Sequence, residues 1–292
     1  MKLSFSALVG VVIVAVLASA ATIKIMVPAN SSAAAKSESA YERVMRTGVL
    51  RCGYGVWYPY FDKDPNTGAI TGFSADATEA VGQALNIKIE WTEETPWGGA
   101  EAMKTGRIDA FCSGIWANPD RAKVMDFTIP IAYQTVDAYA RPNDLRFDNN
   151  IAAINNPDVT ISTIDAEMTS FIAKEDFPKA KTASLTALSG SAELLLNVTT
   201  GKADVTFIDA VTAGQFLEKN PNSLRRIPNA RPIRLFPLAV IVIPPDQDRL
   251  RQVLDVTTRF LILNGTMEKI IQKYDPEGSM LMRVAVPYAA KN

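Results

Sequence analysis

The sequence predicts an α/β fold arranged as two lobes, and three observations predict it. Strand-like apolar runs alternate with helix-like stripes along most of the chain, the order that builds mainly parallel sheets flanked by helices. One short unit occurs once in each half, as Thr105-Gly106-Arg107-Ile108-Asp109-Ala110 and as Thr200-Gly201-Lys202-Ala203-Asp204-Val205. The length of 292 residues is enough for two ordinary lobes. In the repeated unit a glycine takes the left-handed cap position, a basic residue sits near the negative helix end, and a strand begins. A common helix-to-strand turn has the same form, so the unit by itself leaves duplication open.

From residue 41 the elements follow in order. Residues 49–54 form a short strand-like run. Asp64-Pro65-Asn66-Thr67-Gly68 concentrates turn formers. Ser74 is the expected cap of a helix over 75–85, with Ala77, Ala80, Val81, Ala84 and Leu85 on or near one stripe. Residues 87–91 alternate as a strand, a short helix runs to Lys104, and 108–113 is an apolar strand. Pro119 opens a further helical turn. In the second half, 159–163 reads as a strand and 166–174 as a helix ended by Phe177-Pro178. A helix over 190–199 carries Leu194, Leu195, Leu196 and Val198; 204–208 is a strand and 211–217 a helix. Residues 238–243 read as one strong apolar strand ended by Pro244-Pro245. A long helix from Asp246 through Leu263 is broken by Gly265, and 267–273 closes the fold.

Composition removes several function classes. Hydrophobic residues make up 48% and charged residues 21%, a globular balance. The net charge of −1 carries no global basic signal for nucleic acid. The chain has no histidine, which excludes Ser-His-Asp and Cys-His machinery, His-bearing zinc sites and HExxH proteases. No cofactor, no metal and no catalytic residue are expected, and the chain is not expected to be an enzyme.

The first residues have the form of a targeting segment. Lys2 precedes an apolar run over 7–17, and Ala18-Ser19-Ala20 is a cleavage pattern. Apolar character resumes at Ile23, Ile25, Met26 and Val27, with Lys24 able to snorkel, so an uncleaved anchor is the alternative. Residues 1–27 are therefore a signal peptide or a signal anchor, the latter a membrane tether through 3–27. Both place the remainder outside the cytoplasm. Residues 28–40 are small and polar and read as a flexible spacer. In an oxidising compartment Cys52 and Cys112 can form a disulfide; each also lies in an apolar run, and the preferred expectation is two buried small hydrophobes.

Ligands of open α/β sheets bind beyond the carboxyl ends of strands, here the loops after Tyr54, Ser113, Thr163 and Ile208. The segment Gly55-Val56-Trp57-Tyr58-Pro59-Tyr60-Phe61 holds four aromatics in seven residues. Phe61 is expected in the core, while Trp57 or Tyr58 offers a stacking surface. Gly53 and Gly55 lack the third glycine and the helix of a nucleotide loop. Ser113 and Gly114 offer backbone that a ligand can approach closely. Arg121, in a first helical turn after Pro119, suits a bidentate grip on a carboxylate. A surface ion pair with Asp120 or Asp126 is the plainer use of that arginine.

These segments resemble the polar-amino-acid type of periplasmic solute-binding proteins, family 3, over roughly residues 41 to 275. The resemblance is carried by Leu50 through Phe61, Thr71-Gly72-Phe73-Ser74-Ala75-Asp76, Met103 through Ala110, Ser113-Gly114 through Arg121, and Asp126-Phe127-Thr128. It continues in Gly201-Lys202-Ala203-Asp204, Ile208-Asp209 and Asn264-Gly265-Thr266. It implies the type II periplasmic-binding-protein fold: lobe 1 from 41–131 and 238–292, lobe 2 from 136–233, and hinge crossovers at 132–135 and 234–237. It implies Tyr58 and Trp97 as aromatic walls, Gly114 as a backbone contact, Arg121 on an α-carboxylate and Asp209 on an α-ammonium. The expected ligand set is Trp57, Tyr58, Trp97, Ser113, Gly114, Trp116, Arg121, Asp165 and Asp209. The implied role is capture of a small solute, an amino acid or a derivative, by a periplasmic monomer that delivers it to an ABC transporter permease.

The departures bear on the solute. Trp116 stands where the family usually has a small hydroxyl residue, and Gly55 where many members carry an acid. The stretch Thr163-Ile164-Asp165-Ala166-Glu167-Met168-Thr169 replaces a Gly-Thr-Thr-like loop; Asp165 and Glu167 are expected to cap the helix there and to repel a ligand carboxylate. A modified, cationic or aromatic amino acid, or a different solute, follows. Two other functions remain: a cyclohexadienyl dehydratase-like enzyme, with Glu93, Glu94, Glu101 and Glu167 as acids by location, and a membrane-tethered ligand sensor.

Overall fold

A computed structural model describes residues 38–94, 98–186, 188–229, 231–276, 278 and 280–284. The targeting segment and most of the spacer lie outside the described residues. Among the described residues no helix is long and apolar enough to cross a membrane.

Helix α1 (Ala40–Thr47) leads into β1 (Val49–Tyr54). The turn-rich segment closes a hairpin of β2 (Asp62–Lys63) and β3 (Ile70–Thr71), with Asp64 Oδ1 accepting the N–H groups of Asn66 and Thr67 at 2.7 and 2.9 Å. Helix α2 (Phe73–Leu85) starts ahead of its expected cap, at Gly72 with φ 121°. The reason is local. The N–H groups of Phe73 and Ser74 donate to the carbonyl oxygens of Pro59 and Tyr60 at 3.2 and 2.7 Å, so the first turn needs no side-chain cap. A Cβ on Gly72 would meet the Tyr60 carbonyl oxygen at 2.6 Å. Then come β4 (Lys88–Glu93), α3 (Gly98–Lys104), β5 (Ala110–Phe111), β6 (Ile115–Trp116), a 3-10 turn (Arg121–Lys123) and β7 (Asp126–Phe127).

The long strand β8 (Ala132–Ala140) opens the second set of elements. It is followed by β9 (Thr160–Ile164), α4 (Met168–Asp176), β10 (Lys181–Leu185), α5 (Ser191–Thr199), β11 (Val205–Ile208), α6 (Ala210–Lys219) and β12 (Arg225–Arg226). The chain returns through β13 (Arg234–Ala239) to β14 (Val242–Ile243), α7 (Asp248–Leu263), α8 (Thr266–Tyr274) and β15 (Leu281–Arg283).

One sheet runs β4-β1-β5-β14-β7, and β1 pairs in parallel with both β4 and β5. The other runs β10-β9-β11-β8-β13-β6, with β9 parallel to β10 and β11. Helices flank both sheets, which is the expected α/β class, and the strands added on the β14 and β8 sides are antiparallel. Strand β8 joins the two halves. Its first residues pair with β13, from Leu238 opposite Ala132 to Arg234 opposite Val136, and its last pair with β11. The expected single strand over 238–243 is two strands in different sheets. Val240 and Ile241 are buried where the chain steps between them. A wholly buried run has no alternation to mark such a break.

Each half has its own apolar core. Leu50, Phe73, Val81, Leu238 and Leu254 belong to one; Val136, Phe147, Ile161, Ile172 and Phe207 belong to another. Cys52 and Cys112 are both fully buried and are disulfide-bonded, with Cα atoms 5.6 Å apart. The preferred expectation of two unlinked thiols is therefore corrected: parallel pairing of β1 with β5 sets their backbones at bridging distance.

The repeated unit has the same geometry twice. Gly106 and Gly201 have φ of 70° and 77°. Asp109 accepts the backbone N–H of Arg51 at 2.8 Å and is gripped by the side chains of Arg43 and Arg51. Asp204 accepts the N–H of Thr160 at 2.9 Å and is gripped by Arg141 and Arg146. In each half the aspartate fastens a strand to its neighbour while the glycine reverses the chain.

Candidate functional site

The loops at the carboxyl ends of β1, β5, β9 and β11 supply the residues of the site. The N–H of Gly55 donates to Ser113 Oγ at 3.2 Å, tying two of these ends together. Ser113 is buried, and Gly114 follows with φ 80°. A Cβ on Gly114 would lie 2.8 Å from Ser74 Oγ, so the backbone passes α2 too closely for a side chain. Ser74 Oγ is itself buried without a hydrogen-bond partner.

The aromatic loop divides as the sequence suggests. Phe61 and Tyr60 are fully buried, while Tyr58 is 57% exposed. Trp57 is half-buried, with ring centroids 4.4 Å from Tyr60 and 5.6 Å from Trp116. Trp97 lies outside the described residues.

Trp116 turns toward the crossover strands. Its ring is 5.2 Å from Phe236 on β13, and its Nε1–H donates to Gln134 Oε1 on β8. Gln134 Nε2 in turn donates to Tyr60 Oη at 2.7 Å. Trp116 also packs against both of the main apolar cores. A buried polar chain, Trp116–Gln134–Tyr60, thus runs across the junction. Sequence reasoning passed over Gln134, which lies in Ala132–Ala140 with two further buried polar side chains, Thr135 and Asp137, and so does not stand out.

Arg121 has neither of the partners that the sequence proposed on the surface. Asp120 pairs with Lys123 at 2.6 Å instead. Arg121 Nη1 donates to the Trp116 carbonyl oxygen at 3.1 Å, and Nη2 donates to Glu167 Oε1 at 3.0 Å. Glu167 belongs to the other half, at the N-cap position of α4, yet it makes no side-chain capping bond. Burial raises its pKa above the ordinary glutamate value, with the Arg121 charge pulling the other way. Asp165 is exposed and is not the cap either. The loop is held instead by Thr169 Oγ1, which accepts the Ile164 N–H at 2.9 Å.

Asp209 caps α6. Its Oδ1 accepts the N–H groups of Val211 and Thr212 at 3.1 and 3.0 Å, and Oδ2 accepts the Thr212 hydroxyl at 2.7 Å. It is 3% exposed. Burial pushes its pKa up, against the lowering effect of those bonds. Burial and then the Asp209 charge raise the Tyr60 phenol well above its ordinary value. Thr212 was not anticipated, because the resemblance assigned Asp209 to a ligand and not to the cap of the helix that follows.

The arrangement presents a guanidinium on one half, two carboxylates on the other, and aromatic faces beside them. Among the described residues no group of acidic and cysteine side chains could hold a metal ion.

The sequence model of the bacterial extracellular solute-binding proteins, family 3, matches residues 50–277. A "Probable amino-acid ABC transporter-binding protein" of Haemophilus influenzae is 27% identical over 183 residues, 62% of this chain and 68% of that protein. A cyclohexadienyl dehydratase of Pseudomonas aeruginosa is 23% identical over 177 residues, 60% of this chain and 65% of that enzyme. The chain thus spans about two thirds of the length of these curated relatives. The crystal structure of an ancestral amino acid-binding protein, a precursor of cyclohexadienyl dehydratase, superposes with a TM-score of 0.65 at 26% identity. That match covers 81% of this chain and 99% of the other.

Proposed function

The chain belongs to the bacterial extracellular solute-binding proteins, family 3, and from that premise we propose that it captures an amino acid or a derivative between two closing lobes in the periplasm and delivers it to an ABC permease. The observation that carries this reading is the placement of opposite charges on the two halves. Arg121 lies beyond β6 and Asp209 at the end of β11. An ammonium on Asp209 and an anionic or acceptor group toward Arg121 can be held together only when the cleft is closed. Ligand binding then favours the closed state through contacts that the open state lacks. Trp57 and Tyr58 supply aromatic faces on one side, and the backbone at Ser113 and Gly114 lines the approach.

A thermal-shift screen over amino acids, amines and small acids identifies the solute, since a ligand raises the melting temperature by mass action. Arg121→Ala should then weaken a solute that brings a carboxylate or other anionic group to it by about 2–5 kcal/mol, the usual cost of losing one side of a desolvated charge contact. Normal affinity in that variant would remove Arg121 from the site.

One observation favours a second reading, a dehydratase. Of the four acids considered by location, Glu93 pairs with Lys63, Glu94 with Arg107, and Glu101 is exposed. Burial raises the Glu167 pKa, the direction that a general acid requires, while the Arg121 charge beside it pulls the other way. Incubation with prephenate or arogenate, followed for an aromatic product, tests this; no product above the protein-free rate excludes it.

A further inference from the structure

We propose that Glu167 is the specificity-determining residue of the cleft, a built-in carboxylate that occupies Arg121 and so selects against solutes that bring a carboxylate to that arginine. The inference rests on the solute-binding reading above and narrows its substrate class.

Three observations carry it. Glu167 and Arg121 lie on opposite sides of the crossover strands, one ahead of α4 and the other in the turn after β6, yet Nη2 and Oε1 are 3.0 Å apart. Both side chains are largely withdrawn from water, at 24% and 20% exposure, so their attraction is less screened than that of a surface pair. The second Arg121 nitrogen, Nη1, is also engaged, on the Trp116 carbonyl oxygen. A ligand carboxylate therefore meets a guanidinium that already donates to Glu167 and to the Trp116 carbonyl oxygen, with an anion alongside. It must displace Glu167 and leave that carboxylate in a half-buried place, or settle for fewer bonds.

Charge counting gives the same direction. Arg121 with Asp209 alone sums to zero and suits a zwitterion. Adding Glu167 brings the sum to −1, which suits a solute with net positive charge. The class predicted is an organic cation, an amine or guanidine whose positive end faces Asp209 and which brings no carboxylate to Arg121.

L-Arginine and agmatine share the guanidine and differ by the α-carboxylate, so they are the probes. Their affinities are measured by calorimetry for the wild type, Glu167→Gln and Glu167→Ala. The wild type should prefer agmatine. Both variants should shift the preference toward L-arginine by about tenfold or more, since relief of like-charge crowding at a shared donor acts on the carboxylate alone. An unchanged ratio, or a shift toward agmatine, overturns the proposal. A ligand-free measurement separates this from failure of the parent reading. Spin labels on the two lobes report their separation in the wild type and in Glu167→Gln. Widening in the variant supports the interlobe pair even if neither probe binds, in which case the thermal-shift screen judges the solute-binding reading. Identical distance distributions in both proteins count against Glu167 as a group that holds Arg121.

Discussion

Asp209 has two functions at one position, and a substitution must separate them. As the cap of α6 it satisfies two backbone N–H groups and a hydroxyl, while as a buried carboxylate it is the proposed seat of a positive group. Asparagine caps helices about as well as aspartate, whereas alanine does not. Asp209→Asn should keep the stability of α6 and lose affinity for a cationic solute. Asp209→Ala should lose that affinity and also about 1 kcal/mol of stability, within the 0.5–2 kcal/mol usual for a lost cap. Urea midpoints and calorimetry on the two variants check this; equal destabilisation by both would mean that the charge, not the cap, holds the helix. At this scale the sequence indicated which residue types gather at the strand ends. It did not indicate partners. Nothing between residues 121 and 167 announces that Arg121 bonds Glu167, because that contact exists only after two distant loops fold toward one another. Ser74 was misplaced for the same reason: the carbonyl oxygens that replace its capping role come from Pro59 and Tyr60.

Among the elements, the links between neighbours matter most around β1. The disulfide joins β1 to the chain just beyond β5 across a sequence separation of 60. Chain-entropy reasoning gives such a loop about 4 kcal/mol at most, and measured values commonly fall at 2–4 kcal/mol. The double variant Cys52→Ala, Cys112→Ala should therefore lower the unfolding free energy by about 2–4 kcal/mol, read from the denaturant midpoint at constant slope. Solute affinity should be retained, because neither cysteine is among the proposed contacts. Unchanged stability would show that the buried strand pairing alone holds this region. Periodicity located most helices and central strands, since their stripes and turns are local. It failed where burial is continuous or contacts are remote. Residues 238–243 looked like one strand, and β8 was recognised only as a crossover region. Strand β10 was missed: it is a largely exposed edge strand with little apolar alternation to reveal it.

For the whole molecule, the buried Asp209 ties folding and binding to pH with opposite signs. The Asp209 pKa is raised in the folded chain, first by burial. The folded state then binds more protons than the unfolded state between the ordinary aspartate value and the raised one. Stability from this group is therefore present at low pH and falls as pH rises through that window. Carboxylates with lowered pKa act in the other direction. Asp144, held down chiefly by Arg146, and Glu268, held down chiefly by Arg283, contribute stability that is lost as pH drops below the ordinary carboxylate range. Their effect lies lower on the pH scale, and it cancels when the wild type is compared with Asp209→Asn at each pH. That difference should become less favourable to the wild type as pH rises from about 4 toward neutrality. Solute affinity should move the opposite way, because a protonated Asp209 cannot hold a positive group: a cation bound at neutral pH should weaken as pH falls into the same window. Urea unfolding of both proteins at stepped pH, with calorimetry on the wild type, reads both trends. A stability difference independent of pH would remove the raised Asp209 pKa, and affinity independent of pH would remove Asp209 as the cation's partner.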